Sequence, residues 1–268
     1  MTRYLFLSGV GRSGTTALRN SLGLHPEIYY NGKENNAVQD LLSVAQKNIE
    51  MSSRKYALVV EPDVYFRSFE ELMLKIIWPD AEQRRRLTLL AAVNFEPSLL
   101  PTARQIFPDC KLVCLIRSGI GVISSRMKYQ SFADDEFAQH CQVWLRSVQM
   151  ARWADSNPAW GRVVRQEWFS EEERIRGEFK ALFQWAGLSP DDEPTQNIVG
   201  KRYHPTVAAG QSTDDLAKHY GEMDIERRKA VESNRLDRWK DWTAPQRDHF
   251  VETCGDAMTS LGYSIPWL

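Results

Sequence analysis

The sequence predicts an α/β protein in which helices flank a central parallel sheet. Short apolar runs of the length of buried strands alternate with segments whose apolar residues recur at helical spacing. A glycine-rich loop follows the first apolar run and leads directly into the first helical segment. A chain of 268 residues with 43% apolar composition can fill the core of one such domain, which we expect to span residues 1–268.

The glycine-rich loop covers residues 9–16 and connects a predicted strand at 4–7 to a predicted helix. Gly9, Gly11 and Gly14 let the backbone approach a ligand closely, and the first N–H groups of a helix have no partner within it. The helix dipole adds partial positive charge at the same end. We therefore expect the loop to bind a phosphate or a sulfate group.

The remaining elements follow from the same patterns, and the stretch 29–36 after the first helix is expected to be a loop that returns towards the glycine-rich loop. Further strands are predicted at 57–60, 87–93, 111–116 and 162–166. Further helices are predicted at 69–77, around Ser125, along 137–151, at 171–186 and at 250–261.

The loop departs from the nucleoside-triphosphate motif G-x-x-x-x-G-K-[ST] at its lysine. Thr15 stands at the lysine position, and Thr16 stands at the final hydroxyl position. The fixed cation is Arg12, inside the loop, and Ser13 adds a further neutral hydroxyl. This combination suits an anion that carries less charge than a triphosphate with magnesium.

A second motif follows the most convincing buried strand of the chain, residues 111–116. Arg117 stands at the C-terminal end of this strand, and Ser125 follows eight residues later in a predicted helix. An arginine fork and a hydroxyl can hold one phosphate from two sides. The motif therefore predicts a second anion site on the same edge of the sheet.

Together the two motifs resemble those of sulfotransferases that use 3′-phosphoadenosine 5′-phosphosulfate (PAPS), in particular the bacterial small-molecule and tyrosine-sulfotransferase-like branch. The glycine-rich loop, with His25 and Pro26 behind it, is similar to the family's 5′-phosphosulfate loop, and Arg117 and Ser125 are similar to its 3′-phosphate site. The resemblance implies the P-loop-like sulfotransferase fold, PAPS as donor, 3′,5′-bisphosphoadenosine (PAP) as product, and no metal. The implied donor-binding residues of the loop are Gly11, Arg12, Ser13, Gly14, Thr15 and Thr16.

The resemblance also implies donor contacts farther along the chain. Gln166 stands where family members often have a tyrosine that contacts adenine, and Ser212 lies in a stretch similar to one whose serine touches the nucleotide. Arg238 precedes Trp239, where the family has a basic residue that helps to hold the 3′-phosphate end. The polar, irregular segment 194–223 is expected to be a lid.

Two carboxylates are candidates for the base that removes the acceptor proton. Glu34 lies in a stretch that matches, with one inserted residue, the glutamate-bearing stretch of tyrosine sulfotransferases. Glu96 lies after the third predicted strand, where sulfotransferases often have a lysine or a histidine before a proline. Phe95 stands at that lysine position, so Arg12 is expected to stabilise the transition-state charge with less help. The choice between the two glutamates stays open.

The sequence thus favours transfer of a sulfuryl group from PAPS to a hydroxyl or amine of a small-molecule acceptor. One alternative is a P-loop-type small-molecule kinase in which Asp63 or Glu96 holds magnesium, which Thr15 and the second anion motif disfavour. The other is a non-catalytic nucleotide-binding protein, which Phe95 favours because the expected lysine is absent.

Composition limits the classes of partner and the cellular location that we expect for this protein. A net charge of −1 gives no strong field that would attract nucleic acid or an anionic membrane surface. The four cysteines lack paired or metal-ligand spacing, no leader segment is visible, and no run approaches the roughly 18 apolar residues of a membrane span. We therefore expect a cytoplasmic protein with reduced thiols. The sequence does not specify the acceptor or the oligomeric state.

Overall fold

The computed structural model describes residues 3–35, 37–54, 61–79, 88–132, 134–190 and 237–268. Its described strands form one five-stranded sheet in the order β2-β3-β1-β4-β5, and all neighbouring strands run parallel. The strands are β1 (Arg3–Ser8), β2 (Ile28–Glu34), β3 (Thr88–Ala92), β4 (Cys110–Ile116) and β5 (Gly161–Arg165).

Helices cover both faces of this sheet, which confirms the predicted fold class. Among the described residues the α-helices are α1 (Thr15–Leu22), α2 (Ala37–Arg54), α3 (Pro62–Ile77), α4 (Leu100–Ile106), α5 (Gly119–Met127), α6 (Phe137–Ser156), α7 (Glu172–Ala186) and α8 (Ala244–Ser260).

The central strand β1 contributes to the core on both faces because successive side chains of a strand point in opposite directions. Phe6 packs with Trp78 and Phe107 in the cluster that α2, α3 and α4 cover. Leu5 and Leu7 belong to the opposite cluster, with buried residues of α1 and α7. Each fully buried side chain of this size contributes about 1.5–3 kcal/mol.

A third apolar cluster fixes α5 against α6 and α8. Trp144 of α6 lies so close to the start of α5 that a Cβ added at Gly119 would lie 2.9 Å from its ring. Trp144 and Phe250 of α8 are both buried, and their ring centroids are 6.4 Å apart. Packing against α6 and α8 therefore fixes the position of α5. This helix carries Ser125, one of the predicted site residues.

The structure confirms most of the predicted elements and corrects one. The strands expected at 87–93, 111–116 and 162–166 are present, and the last ends at Arg165. The expectation of a loop at 29–36 is wrong, because Ile28–Glu34 pairs with β3 as an edge strand. The predicted strand at 57–60 and the predicted lid at 194–223 lie outside the described residues.

Candidate active site

The sheet topology brings the two predicted anion motifs together. Strands β1 and β4 are parallel neighbours, and Ser8 near the end of β1 is in register with Cys114 of β4. The loop after β1 and Arg117 after β4 therefore leave the same edge of the sheet side by side. In parallel sheets, ligands bind at this carboxyl edge, at the point where the strand order reverses.

The loop after β1 is a tight turn that ends in the first residue of α1. Gly14 precedes the helix with a φ of 101°, a left-handed conformation that glycine adopts without strain. Arg12 also has a positive φ, 77°. The backbone N–H and the hydroxyl of Ser13 both donate to the carbonyl of Val10, at 3.1 and 2.6 Å. The Ser13 hydroxyl thus closes the turn.

Arg12 joins the two motifs. Its Nε donates to the hydroxyl of Ser125 on α5 at 3.2 Å, and its guanidinium lies 4.4 Å from the ring centroid of Tyr129. The Nη1 of Arg117 donates to the backbone carbonyl of Arg12 at 3.0 Å. The residues predicted for the 5′ and 3′ ends of the donor therefore form one continuous cluster.

Arg117 lies over the first turn of α5. A Cβ added at Gly121 would lie 2.9 Å from the Arg117 Nε, so a larger residue there would displace the Arg117 guanidinium. The Trp144 indole N–H donates to the Arg117 carbonyl at 2.9 Å and fixes its backbone. The next N–H, that of Ser118, donates to Glu167 Oε1 at 2.9 Å. The turn between β4 and α5 is thus held from α6 and from the segment after β5.

Gln166 and Glu167 begin the short 3₁₀ helix Gln166–Ser170 after β5. The Gln166 Cγ lies 3.1 Å from the place that a Cβ at Gly14 would occupy, so Gln166 contacts the glycine-rich loop. The other oxygen of Glu167 accepts a hydrogen bond from the Tyr263 hydroxyl at 3.0 Å. Burial and the neighbouring Glu167 raise the pKa of Tyr263, so its hydroxyl remains a donor.

Arg238 lies half-buried in the 3₁₀ helix Asp237–Asp241. A salt bridge of 2.6 Å between Lys128 and Asp241 ties this segment to the C-terminal end of α5. The hydrogen bond from Lys128 lowers the pKa of Asp241. Ser212, the other predicted contact from the late part of the chain, lies outside the described residues.

A cavity of about 350 Å³ opens beside the glycine-rich loop. Its wall includes Gly11 and Thr15, and also Glu96, whose Oε1 lies 3.9 Å from Arg146 Nη1. Both side chains of this ion pair are about half exposed, so it adds at most about 1 kcal/mol to stability. Phe95 is buried and packs edge-on against another core ring. The position where a catalytic lysine was expected is therefore part of the core.

Glu34 is the last residue of β2 and is in register with Ala92 of β3. Ala92 lines the cavity, and its carbonyl accepts a hydrogen bond from the N–H of Asn35 at 3.1 Å. Gln39, in the first turn of α2, also lines the cavity. The backbone of the first candidate base thus ends at the cavity wall.

One residue of the cavity wall, Arg126, was not predicted. It follows Ser125 on α5 and is buried, with 5% of its surface exposed. Its Nη2 donates to Asp135 Oδ2 at 2.9 Å. The sequence offered one signal, a charged residue directly after the run of apolar and small residues that forms α5.

Comparison with known proteins identifies the class. A profile described as "Sulfotransferase family" matches residues 5–192. Since this match covers more than half of the 268 residues, the chain belongs to the sulfotransferase family. This membership confirms the family that the two motifs predicted.

Individual relatives agree with this assignment. The chain is 25% identical over 157 residues to protein-tyrosine sulfotransferase A of Caenorhabditis elegans, covering 55% of this chain and 40% of that protein. It is 26% identical over 155 residues to human protein-tyrosine sulfotransferase 1, covering 54% and 40%. The chain thus spans about two fifths of the length of these curated relatives.

A solved structure confirms the fold. The sulfotransferase domain of the olefin synthase from Synechococcus PCC 7002 superposes with a TM-score of 0.58 at 18% identity. The match covers 99% of this chain and 96% of that domain. Its extent confirms the predicted sulfotransferase fold.

Three further observations concern the part of the chain that the structure describes. No helix there is long and apolar enough to cross a membrane. The same residues contain no cluster of three histidine, cysteine, aspartate or glutamate side chains arranged to hold a metal ion. All four cysteines are buried and free, and burial raises the pKa of Cys110 to about 12.

Proposed function

We propose that this protein transfers a sulfuryl group from PAPS to a hydroxyl or amine group of a small-molecule acceptor. The observation that carries the proposal is the contact of Arg12 with Ser125, together with the hydrogen bond from Arg117 to the Arg12 carbonyl. The 5′- and 3′-phosphates of PAPS belong to one ribose, so their binding groups must be close neighbours.

The residues of the site fit this donor. Gly14 precedes α1, and the first N–H groups of this helix are available for an anion. The loop offers Arg12 and the hydroxyls of Thr15 and Thr16 without the lysine of triphosphate sites. When bound, the donor supplies an activated sulfuryl group whose bond to the 5′-phosphate oxygen breaks during transfer.

Each part of the site has one proposed task. Arg12 and the N–H groups at the start of α1 stabilise negative charge near the 5′-phosphate. Arg117 and Ser125 hold the 3′-phosphate and so orient the donor. We also propose Gln166 as an adenine contact, supported by its position against the loop. The proposed roles of Arg238 and Ser212 as donor contacts rest on the family pattern.

We propose Glu34 as the base that accepts the acceptor proton, with Glu96 as the alternative. The proposal is supported by the register of Glu34 with Ala92, a residue that lines the cavity. The Glu96 carboxylate faces Arg146, so its use as a base would give up that ion pair.

The volume of the cavity, about 350 Å³, supports a small-molecule acceptor because pockets for such ligands start at about 300 Å³. A tyrosine side chain of a peptide is a second candidate, favoured by the similarity to enzymes named protein-tyrosine sulfotransferases. Radiolabelled PAPS offered with phenols, aliphatic alcohols, amines and a tyrosine peptide separates these candidates.

The decisive binding experiment compares melting temperatures without ligand, with PAP and with ATP–magnesium. A ligand at 100 times its Kd stabilises the fold by about 2.7 kcal/mol, so PAP should raise the melting temperature of the wild type clearly. Arg12→Ala should abolish this shift, whereas Arg152→Ala, an exposed arginine of α6, should retain it.

Other outcomes support the alternative functions. Stabilisation by ATP–magnesium with indifference to PAP would favour a kinase and refute the proposal. Stabilisation by PAP without turnover on any acceptor would favour a non-catalytic nucleotide-binding protein.

We further propose that residues 1–268 act as one domain, supported by the single sheet that carries both anion motifs. A stable proteolytic fragment that starts after residue 192 would contradict this. The cytoplasmic location also stays a proposal, supported by four buried cysteines that form no disulfide.

A further inference from the structure

Arg126 is a buried cation that two neighbouring side chains orient. Its Nη2 donates to Asp135 at 2.9 Å, and its Nε donates to His140 Nδ1 at 3.3 Å. The guanidinium carbon also lies 3.8 Å from the ring centroid of Phe132. Burying a guanidinium costs several kcal/mol even when it is paired. The buried Arg126 is therefore a candidate for binding a ligand.

The remaining edge of the guanidinium faces the glycine-rich loop. A Cβ added at Gly11 would lie 3.5 Å from Arg126 Nη1 and 3.3 Å from Phe132 Cζ. Gly11, Phe132 and Arg126 all line the cavity beside the loop. Nη1 therefore lies where the loop meets the cavity.

The side chains that hold Arg126 bind its Nε and Nη2 rather than its Nη1. His140 is buried, and both its burial and the positive charge of Arg126 lower its pKa, so the imidazole is neutral and accepts from Nε. Asp135 is about one-third exposed, offsets part of the delocalised guanidinium charge, and accepts its hydrogen bond from Nη2 rather than Nη1. The N–H groups of Nη1 thus remain available to donate to a ligand.

The orientation of the Arg12 side chain is compatible with ligand binding by Arg126. The Arg12 guanidinium is turned towards Ser125 and Tyr129, which is the proposed 3′-phosphate side of the site. Phe95, at the position of the expected lysine, brings no charge to the cavity. Arg126 is the buried arginine among the residues that line this cavity.

We propose that Arg126 is a donor-binding residue whose Nη1 donates to the sulfuryl group of bound PAPS beside Gly11. This inference rests on the proposed function and adds a second arginine to it. Arg126 acts on the cavity side of the loop, where the acceptor approaches, while Arg12 stabilises charge near the 5′-phosphate. Its charge offsets negative charge on the sulfuryl oxygens as the group is transferred.

The test compares two ligands that differ only in the sulfuryl group, PAPS and PAP. Arg126→Met should weaken PAPS binding by about 10-fold or more, as expected for a lost charged hydrogen bond, and PAP binding by less than about threefold. Arg126→Lys should recover part of the loss. Arg152→Met is the matched control, since Arg152 is exposed and its Nη2 donates to Ser260 at 2.9 Å, away from the cavity.

Arg126→Met leaves the Asp135 carboxylate without its arginine partner and could therefore unfold. A second variant keeps the test valid in that case. Arg126→Met combined with Asp135→Asn removes both charges and leaves no uncompensated carboxylate. Its PAPS-to-PAP affinity ratio should fall as in the single variant. A PAPS-to-PAP affinity ratio equal to that of the wild type would overturn the role of Arg126 and leave the proposed function standing. A wild type that binds neither ligand would overturn the proposed function first.

Discussion

Arg12 Nε lies 3.2 Å from the hydroxyl of Ser125, although 113 positions separate the two residues in the chain. The contact exists because β1 and β4 are neighbours, so that the loop after one strand reaches the helix after the other. It couples the proposed 5′ and 3′ halves of the donor site. Variants on either side should therefore affect the binding of one ligand.

Ser125→Ala should weaken PAP binding by about 10-fold to 100-fold, because it removes one hydroxyl that partners charged groups. Ser124→Ala is the matched control. Ser124 precedes Ser125 on α5, and its buried hydroxyl has no hydrogen-bond partner among the described residues. Calorimetric titration with PAP measures both variants, and equal losses would show that the effect comes from the helix rather than from the hydroxyl of Ser125.

Arg117→Ala should weaken the binding of PAPS far more than that of adenosine 5′-phosphosulfate, which lacks the 3′-phosphate. The expected difference is about 10-fold or more, the effect of one charge-assisted hydrogen bond. The ratio of the two dissociation constants measures the effect without an acceptor. If both ligands lose affinity equally, Arg117 does not bind the 3′-phosphate.

Gly14→Ala should destabilise the fold by about 1–2 kcal/mol, because a left-handed backbone is unfavourable for alanine. The new Cβ would also lie 3.1 Å from Gln166 Cγ. Gly177→Ala is the opposite case. Gly177 lies inside α7, and a Cβ added there would meet open space, so alanine should stabilise by about 0.5–1 kcal/mol. Urea unfolding of both variants tests the opposite signs.

Glu34→Gln should lower kcat by about 100-fold or more if Glu34 is the base, while PAP binding stays within about threefold of the wild type. Glu96→Gln preserves the shape of the other candidate and should have a much smaller effect on kcat. The reverse order of the two effects would transfer the role to Glu96. Similar small effects in both variants would remove both carboxylates from the mechanism.

His140 should make the fold less stable in acid. Burial, together with Arg126, lowers its pKa against the opposing effect of Asp135. The unfolded chain, with the ordinary histidine pKa of about 6.5, therefore takes up this proton first as the pH falls. The contribution of neutral His140 is present above about pH 6.5 and is lost as the pH falls towards the folded-state pKa.

Urea unfolding at several pH values between about 7.5 and 5 measures this loss. In His140→Gln, whose amide does not titrate, the fall in unfolding free energy over this range should be smaller. An identical fall in the variant would assign the acid sensitivity to other groups.

Features that depend on local sequence were predictable. The loop at 9–16 combines glycines with an apolar strand before it, and Arg117 directly follows a buried strand. Such patterns reflect backbone conformation and burial within a few residues, which composition records directly. Family membership and the parallel sheet followed from these two motifs.

Features that depend on tertiary partners were not predictable. Strand β2 contains Asn31, Gly32 and Lys33 and lacks a continuous apolar run, so its pairing with β3 is not visible in the sequence. An arginine in a helix usually faces solvent, and Arg126 is buried because Asp135 and its neighbours, from segments that follow α5, surround it. Neither the pairing of β2 with β3 nor the contact of Arg126 with Asp135 can be inferred from residue spacing alone.

Glu167 accepts hydrogen bonds from both the Tyr263 hydroxyl and the Ser118 N–H. It therefore connects the C-terminal residues to the turn that presents Arg117. Trimming the chain just before Tyr263 would release one oxygen of Glu167 and would also remove Trp267, which packs against Trp242 and Phe250. We expect such a shortened protein to keep the five strands of its sheet but to bind weakly at the proposed 3′-phosphate site. Its affinity for PAP would then report how well the C-terminal residues are packed.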